Sequence, residues 1–218
     1  MKKIKNTMCK VLVMCILITM CTTFGSIDSE AKTVQATSYS STAKKKTLTA
    51  WAKAYMGVIK NSAYTKRIKC QGAKVGLFYI DNDSIPELVI SGKDEDDGCV
   101  IISYKYKKMR AIELYRQGVY YIPKSGLILN VTGSCCAYTK AVYKLNKGDF
   151  SCVGYGNEYY NYERGTSNFW WNGKSCSLSA YNKKIMAAYK NSKGNRDLAY
   201  SCKYNYNGIL NKLATYKK

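Results

Sequence analysis

The stretch VYYIPKSGLILNVTGSCCAYTKAVYKLNKGDFSCVGY, residues 119–155, decides the fold class. Short runs rich in β-branched and aromatic residues, at 119–122, 127–131, 138–145 and 150–155, read as strands. Between them, Pro123-Lys124-Ser125-Gly126 and Asn146-Lys147-Gly148 have the composition of tight turns. The pattern predicts consecutive antiparallel hairpins. Toward the N-terminus it continues in runs at 75–80, 87–91, 99–106 and 110–115, and toward the C-terminus Asn172-Gly173, after Phe169-Trp170-Trp171, predicts a further hairpin.

The flanks change period. Leu48, Trp51, Tyr55, Val58 and Ile59 share one face of a helix of about 14 residues. Two more helices are expected, at 180–190 with Ser179 as cap and at 208–216 with Ile209, Leu210, Leu213 and Tyr216 inward. The expected fold is therefore α+β, an antiparallel β-meander forming a curled sheet, with one N-terminal and two C-terminal helices on one face.

Domain organisation follows from the leader. Lys2, Lys3, Lys5 and Lys10 precede an apolar run at 11–21, followed by small and polar residues, so residues 1–36 read as a secretory signal peptide. The run falls short of the roughly 20 residues needed to span a bilayer. Residues 37–46, rich in Ser, Thr, Ala and Lys, read as a flexible leader, and residues 47–218 as a single α+β domain. The expected product is secreted, extracellular or attached to a bacterial cell surface, with no stable membrane insertion after processing. Its oligomeric state is not legible in the sequence.

The chain carries a net charge of +21. Removing residues 1–36 takes five lysines and two acids from 35 basic and 14 acidic residues, leaving 30 and 12. Such a field favours extracellular polyanions, among them anionic cell-wall polymers. The competing reading is a solvated basic surface, since no block of cations exceeds Lys44 to Lys46. Seven cysteines follow the leader, an odd number; export permits one or two disulfides, and buried reduced thiols are the alternative. The chain contains no histidine, which excludes Ser-His-Asp, Cys-His and histidine-ligated zinc chemistry. A carboxylate-based hydrolase would have to use pairs such as Glu158 with Glu163, or Glu113 with a loop acid, and no spacing supports one.

Acids concentrate between 81 and 97. Asp81-Asn82-Asp83-Ser84-Ile85-Pro86-Glu87, between two predicted strands, is the kind of loop that could converge oxygens on a hard cation. From Leu77 to Ile90, through the 169–176 hairpin and the helix after it, the chain resembles an uncharacterised family of secreted proteins from gut clostridia. That family combines an opening helix, a D-x-[DN]-x-D-G-x-P-E-L loop and tyrosine-rich hairpins. The resemblance implies secretion and this fold and brings no activity with it. Aligned on Pro86-Glu87-Leu88, Tyr79 stands where the family has its first acid and Ser84 where it has glycine. Asp81, Asp83 and Glu87 remain as a weak candidate calcium site, against a reading in which they only shape the turn.

The aromatic residues point elsewhere. Tyr155, Tyr159, Tyr160, Tyr162, Phe169, Trp170 and Trp171 crowd one region, and flat rings on a rigid surface suit glycans, with Tyr159, Tyr160, Tyr162, Trp170 and Trp171 as the candidate contacts. On a strand, Trp170 and Trp171 face opposite sides, so a one-sided core hides only one. The expected function is a non-catalytic extracellular binding or surface-associated module for a glycan or anionic cell-wall polymer, with no obligatory cofactor. A degenerate calcium-stabilised module and a carboxylate hydrolase are the alternatives.

Overall fold

A computed structural model describes residues 47–94, 97–115, 118–190 and 195–217. The expected signal peptide and leader lie outside the described residues. The fold is α+β and wholly antiparallel, but its strands form two sheets.

The first sheet is a meander of β1 (Lys74–Phe78), β2 (Glu87–Ser91), β3 (Cys99–Lys105) and β4 (Lys108–Leu114). The second has the order β10-β9-β8-β7-β6-β5-β11, from β5 (Gly118–Ile122), β6 (Leu127–Ser134), β7 (Ala137–Asn146), β8 (Asp149–Asn161), β9 (Thr166–Trp171), β10 (Lys174–Cys176) and the two-residue β11 (Arg196–Asp197). The division of the meander after β4 has a physical cause. Every residue of β2 is buried, as are the first five of β3, so the first sheet needs cover on both faces.

On one face, Leu88, Ile90, Val100 and Ile102 pack against Tyr55 and Ile59 of α1 (Ala50–Lys60) and Ile209 and Leu213 of α5 (Tyr206–Ala214). On the other, Val89, Ile101, Ile112 and Leu114 meet Val119, Tyr121, Ile128, Leu145 and Phe150 of the second sheet. The outer face of the second sheet buries Leu127 and Val142 under Tyr189 of α3 (Leu178–Tyr189). The layers thus run helix, sheet, sheet, helix.

Helix ends are set by side-chain caps. α1 has 11 residues and begins at Ala50, after the Leu48 that the periodicity includes; Asn61 ends it, and the Asn61 side chain accepts from the Ala63 amide and starts a short α2 (Ser62–Lys69). Ser177, not Ser179, caps α3, accepting from the Ala180 amide at 3.2 Å. Asn205 caps α5, and Asp197 caps the one-turn α4 (Leu198–Ser201). The Asn172-Gly173 turn forms as expected, with φ of 49° and 78°, the left-handed pair that joins β9 to β10. No disulfide joins the seven cysteines among the described residues. Among the described residues, no helix is long and apolar enough to cross a membrane.

Candidate functional site

Register decides where the candidate rings point, because residues directly opposite on antiparallel strands share a face. Gly156 pairs with Trp171, Glu158 with Phe169, and Tyr160 with Ser167. This is the α3 face: Tyr181 of α3 packs on Phe169 at 5.2 Å between ring centroids, and a Cβ on Gly156 would stand 2.5 Å from the Tyr181 ring. Trp171 lies against Gly154, where a Cβ would meet its ring at 2.5 Å. Tyr160 and Tyr162 form an edge-on pair at 4.9 Å, and the Tyr162 hydroxyl donates to the Cys135 carbonyl at 3.5 Å. Trp171, Tyr160 and Tyr162 therefore pack into, or over, the α3 side of the sheet.

The opposite face carries Trp170 and Tyr159. Asn157 pairs with Trp170 and Thr139, and Tyr159 with Asn168 and Ala137. Tyr155 continues the same row on β8, which persists to Asn161, six residues beyond the predicted strand end. Alternation along that extension aligns Tyr155, Asn157 and Tyr159 over roughly 13 Å. The Thr139 hydroxyl donates to the Asn157 side-chain oxygen at 2.8 Å, which orients the amide. Tyr159 and Asn168 are exposed; Thr139, Tyr155, Asn157 and Trp170 are half-buried. No charged side chain lies in this strip. The five candidate rings thus split two against three, Tyr160 and Tyr162 of the three being exposed as well, while Tyr155 of the same aromatic cluster, Thr139 and the two amides share the face of Trp170 and Tyr159.

The acidic loop does converge. Asp81, Asp83 and Glu87 each offer a carboxylate oxygen within 4.8 Å of the others. Each carboxylate also has a structural partner: Asp81 accepts from the Asp83 amide at 3.0 Å, Asp83 from the Ile85 amide at 2.7 Å, and Glu87 from the Ile80 amide at 2.9 Å. The Lys105 ammonium stands 2.8 Å from the second Asp83 oxygen. Burial pushes the Glu87 carboxyl up to about 8, aided by the neighbouring Asp81 and Asp83 and opposed by the Ile80 amide. Burial also raises Asp81. Three side chains supply fewer than the six to eight oxygens calcium takes, and two of them are already bound into their own turn.

The hydrolase candidates lie on separate elements. Glu113, on β4, pairs with Arg67 at 2.6 Å; Glu158 is half-buried under α3 and accepts from Ser167 at 3.4 Å; Glu163 is exposed in the β8–β9 turn. A depression of about 460 Å³ beside α4 has a single acid, Asp94, in its lining among the described residues. The Cys202 thiol in that lining is pushed well up by burial, which keeps it protonated and unreactive. Comparison of the chain with protein-family models, curated proteins and solved structures finds no match.

Proposed function

We propose that this protein is an extracellular, non-catalytic glycan-binding module whose binding face is the strip Thr139, Tyr155, Asn157, Tyr159, Asn168 and Trp170. The observation that carries this reading is the composition of that face: three rings interleaved with amides and a hydroxyl, held on rigid strands and free of charge. Rings stack on the apolar faces of sugars, while amides answer their hydroxyls. The absence of charge in the strip favours a neutral, extended oligosaccharide lying along β8.

The test is retention on insoluble chitin and on immobilised mucin, each compared at low and high salt. Trp170→Ala and Tyr159→Ala should each weaken binding about tenfold or more, corresponding to ~1.4 kcal/mol, with little dependence on salt. Trp171→Phe, on the α3 face, should leave it unchanged. Equal retention by all three variants, or binding that vanishes in salt, would refute the reading.

A second reading, a calcium-stabilised module, draws support from the 4.8 Å convergence of Asp81, Asp83 and Glu87. There the three carboxylates would supply part of an oxygen shell. A melting temperature raised by millimolar calcium and lowered by chelator would support it, and identical melts would eliminate it.

A further inference from the structure

We infer that the turns at one end of the sandwich form a second binding surface, a cationic one, for a flexible polymer of phosphate or sulfate esters. Three tight turns meet there. The β3–β4 turn is Tyr106-Lys107, between Lys105 and Lys108. The β7–β8 turn lies against it: Ser103 donates to the Gly148 carbonyl at 2.5 Å, Arg110 pairs with Asp149 at 3.2 Å, and a Cβ on Gly148 would meet Lys105 at 2.5 Å. The β5–β6 turn joins through the Leu145 amide, which donates to the Gly126 carbonyl at 2.7 Å.

Two observations make this end more than a solvated rim. The first is local cost. Tyr106 and Lys107 both hold left-handed backbone, at φ 51° and 61°, where Asn-Gly is the usual choice and an ordinary residue loses roughly 1–2 kcal/mol. Lys105 and Lys108 also sit directly opposite each other, a repulsive arrangement. The two-residue turn sets this backbone, and filling it with Tyr and Lys in place of Asn-Gly yields a tip presenting Tyr106, 73 % exposed, between cations. The second is the supply of unengaged charge. Lys105 and Arg110 are held by Asp83 and Asp149, but exposed Lys107, Lys108, Lys124 and Lys147 form no ion pair among the described residues.

Lysines are compact, rotatable point charges, suited to successive tetrahedral oxyanions more than to planar carboxylates. Their distribution over three turns on two sheets, which pack about 10 Å apart, suits a chain that crosses the end of the sandwich. Among the described residues, the exposed rings nearby are phenols, Tyr106 and Tyr79, which favours a hydrated polymer over a bilayer.

The test uses purified protein with long-chain inorganic polyphosphate in one arm and dextran sulfate in another, to separate phosphate from sulfate sources; anionic phospholipid vesicles form a third. Four ammonium contacts should weaken binding about 50-fold between roughly 50 and 200 mM salt. Replacing Lys107, Lys108, Lys124 and Lys147 by Gln should abolish that dependence. A control with Lys53, Lys60, Lys183 and Lys184 replaced by Gln loses the same net charge from exposed positions elsewhere and should retain the site. Equal losses in the two quadruple variants would show a diffuse field and overturn the assignment. Binding to vesicles alone, or no binding at low salt, would overturn it as well.

Discussion

Glu87 should make this fold lose stability as pH rises. Its side chain is 2 % exposed, and its carboxyl is raised from an ordinary 4.5 to about 8. In that interval the folded protein keeps the proton and the unfolded chain releases it, so the folded state binds more protons and the unfolding free energy falls with increasing pH. The contribution is complete below about pH 4.5 and lost above about pH 8. At about 1.36 kcal/mol per pH unit, the interval is worth roughly 5 kcal/mol, a large fraction of the stability of a domain this size. Glu87→Gln keeps an oxygen to accept from the Ile80 amide and removes the titration. Denaturant unfolding from about pH 5 to about pH 8.5 should therefore show the parent losing several kcal/mol more than the variant. Parallel pH profiles would refute the assignment of a buried, protonated Glu87. Repeating the series in millimolar calcium separates the two readings of the loop, because a cation bound to the ionised carboxylates would flatten the parent's slope and a turn-shaping role would leave it intact.

Two further substitutions probe the framework. The Tyr181 hydroxyl is buried without a hydrogen-bond partner among the described residues, and burial pushes it up to about 12, so Tyr181→Phe should be neutral or stabilising by up to ~1 kcal/mol; a loss above that in chemical unfolding would reveal a partner for the hydroxyl. Replacing Tyr106-Lys107 by Asn-Gly should raise stability by about 1 kcal/mol through relief of two left-handed residues, while reducing the salt slope of polyphosphate binding by about one contact. A destabilised variant, or one with an unchanged slope, would contradict the strain argument or the placement of Lys107 at the site, respectively.

The fold class was legible because hairpin chemistry is local. Residues 119–155 announce strands and turns without reference to any partner, and Asn172-Gly173 announces a left-handed pair. The division into two sheets depends on burial of both faces of β2 and β3, which a curled single meander does not provide. Its trace in the sequence is Leu88-Val89-Ile90 and Val100-Ile101-Ile102, apolar runs without alternation. Helix boundaries shifted because capping is a contest among neighbours: Ser177 and Ser179 are equally good in composition, and only the chain's exit from β10 selects the first. The candidate binding face was half legible. Alternation predicted that Trp170 and Trp171 would part, but Asn157 and Thr139 stayed hidden because Gly154, Gly156 and Asn157 lower strand propensity and masked the rest of β8. The acids of the 81–87 loop were visible as a cluster, whereas the desolvation that protonates Glu87 comes from packing between elements far apart in sequence.

One strand links the two proposed surfaces. β8 starts at Asp149, among the cationic turns, and reaches Tyr159 ten residues later, roughly 33 Å away along the sheet. That distance exceeds the screening length of about 8 Å at physiological ionic strength, so charge at the turns contributes little at the ring-bearing face. The surfaces can therefore act independently: ammonium groups governed by salt at one end, rings and amides indifferent to it at the other. Such a division suits a module that approaches an anionic matrix through its basic end and holds a neutral segment of it through the rings. Neither interaction needs imidazole, which agrees with a chain that has no histidine.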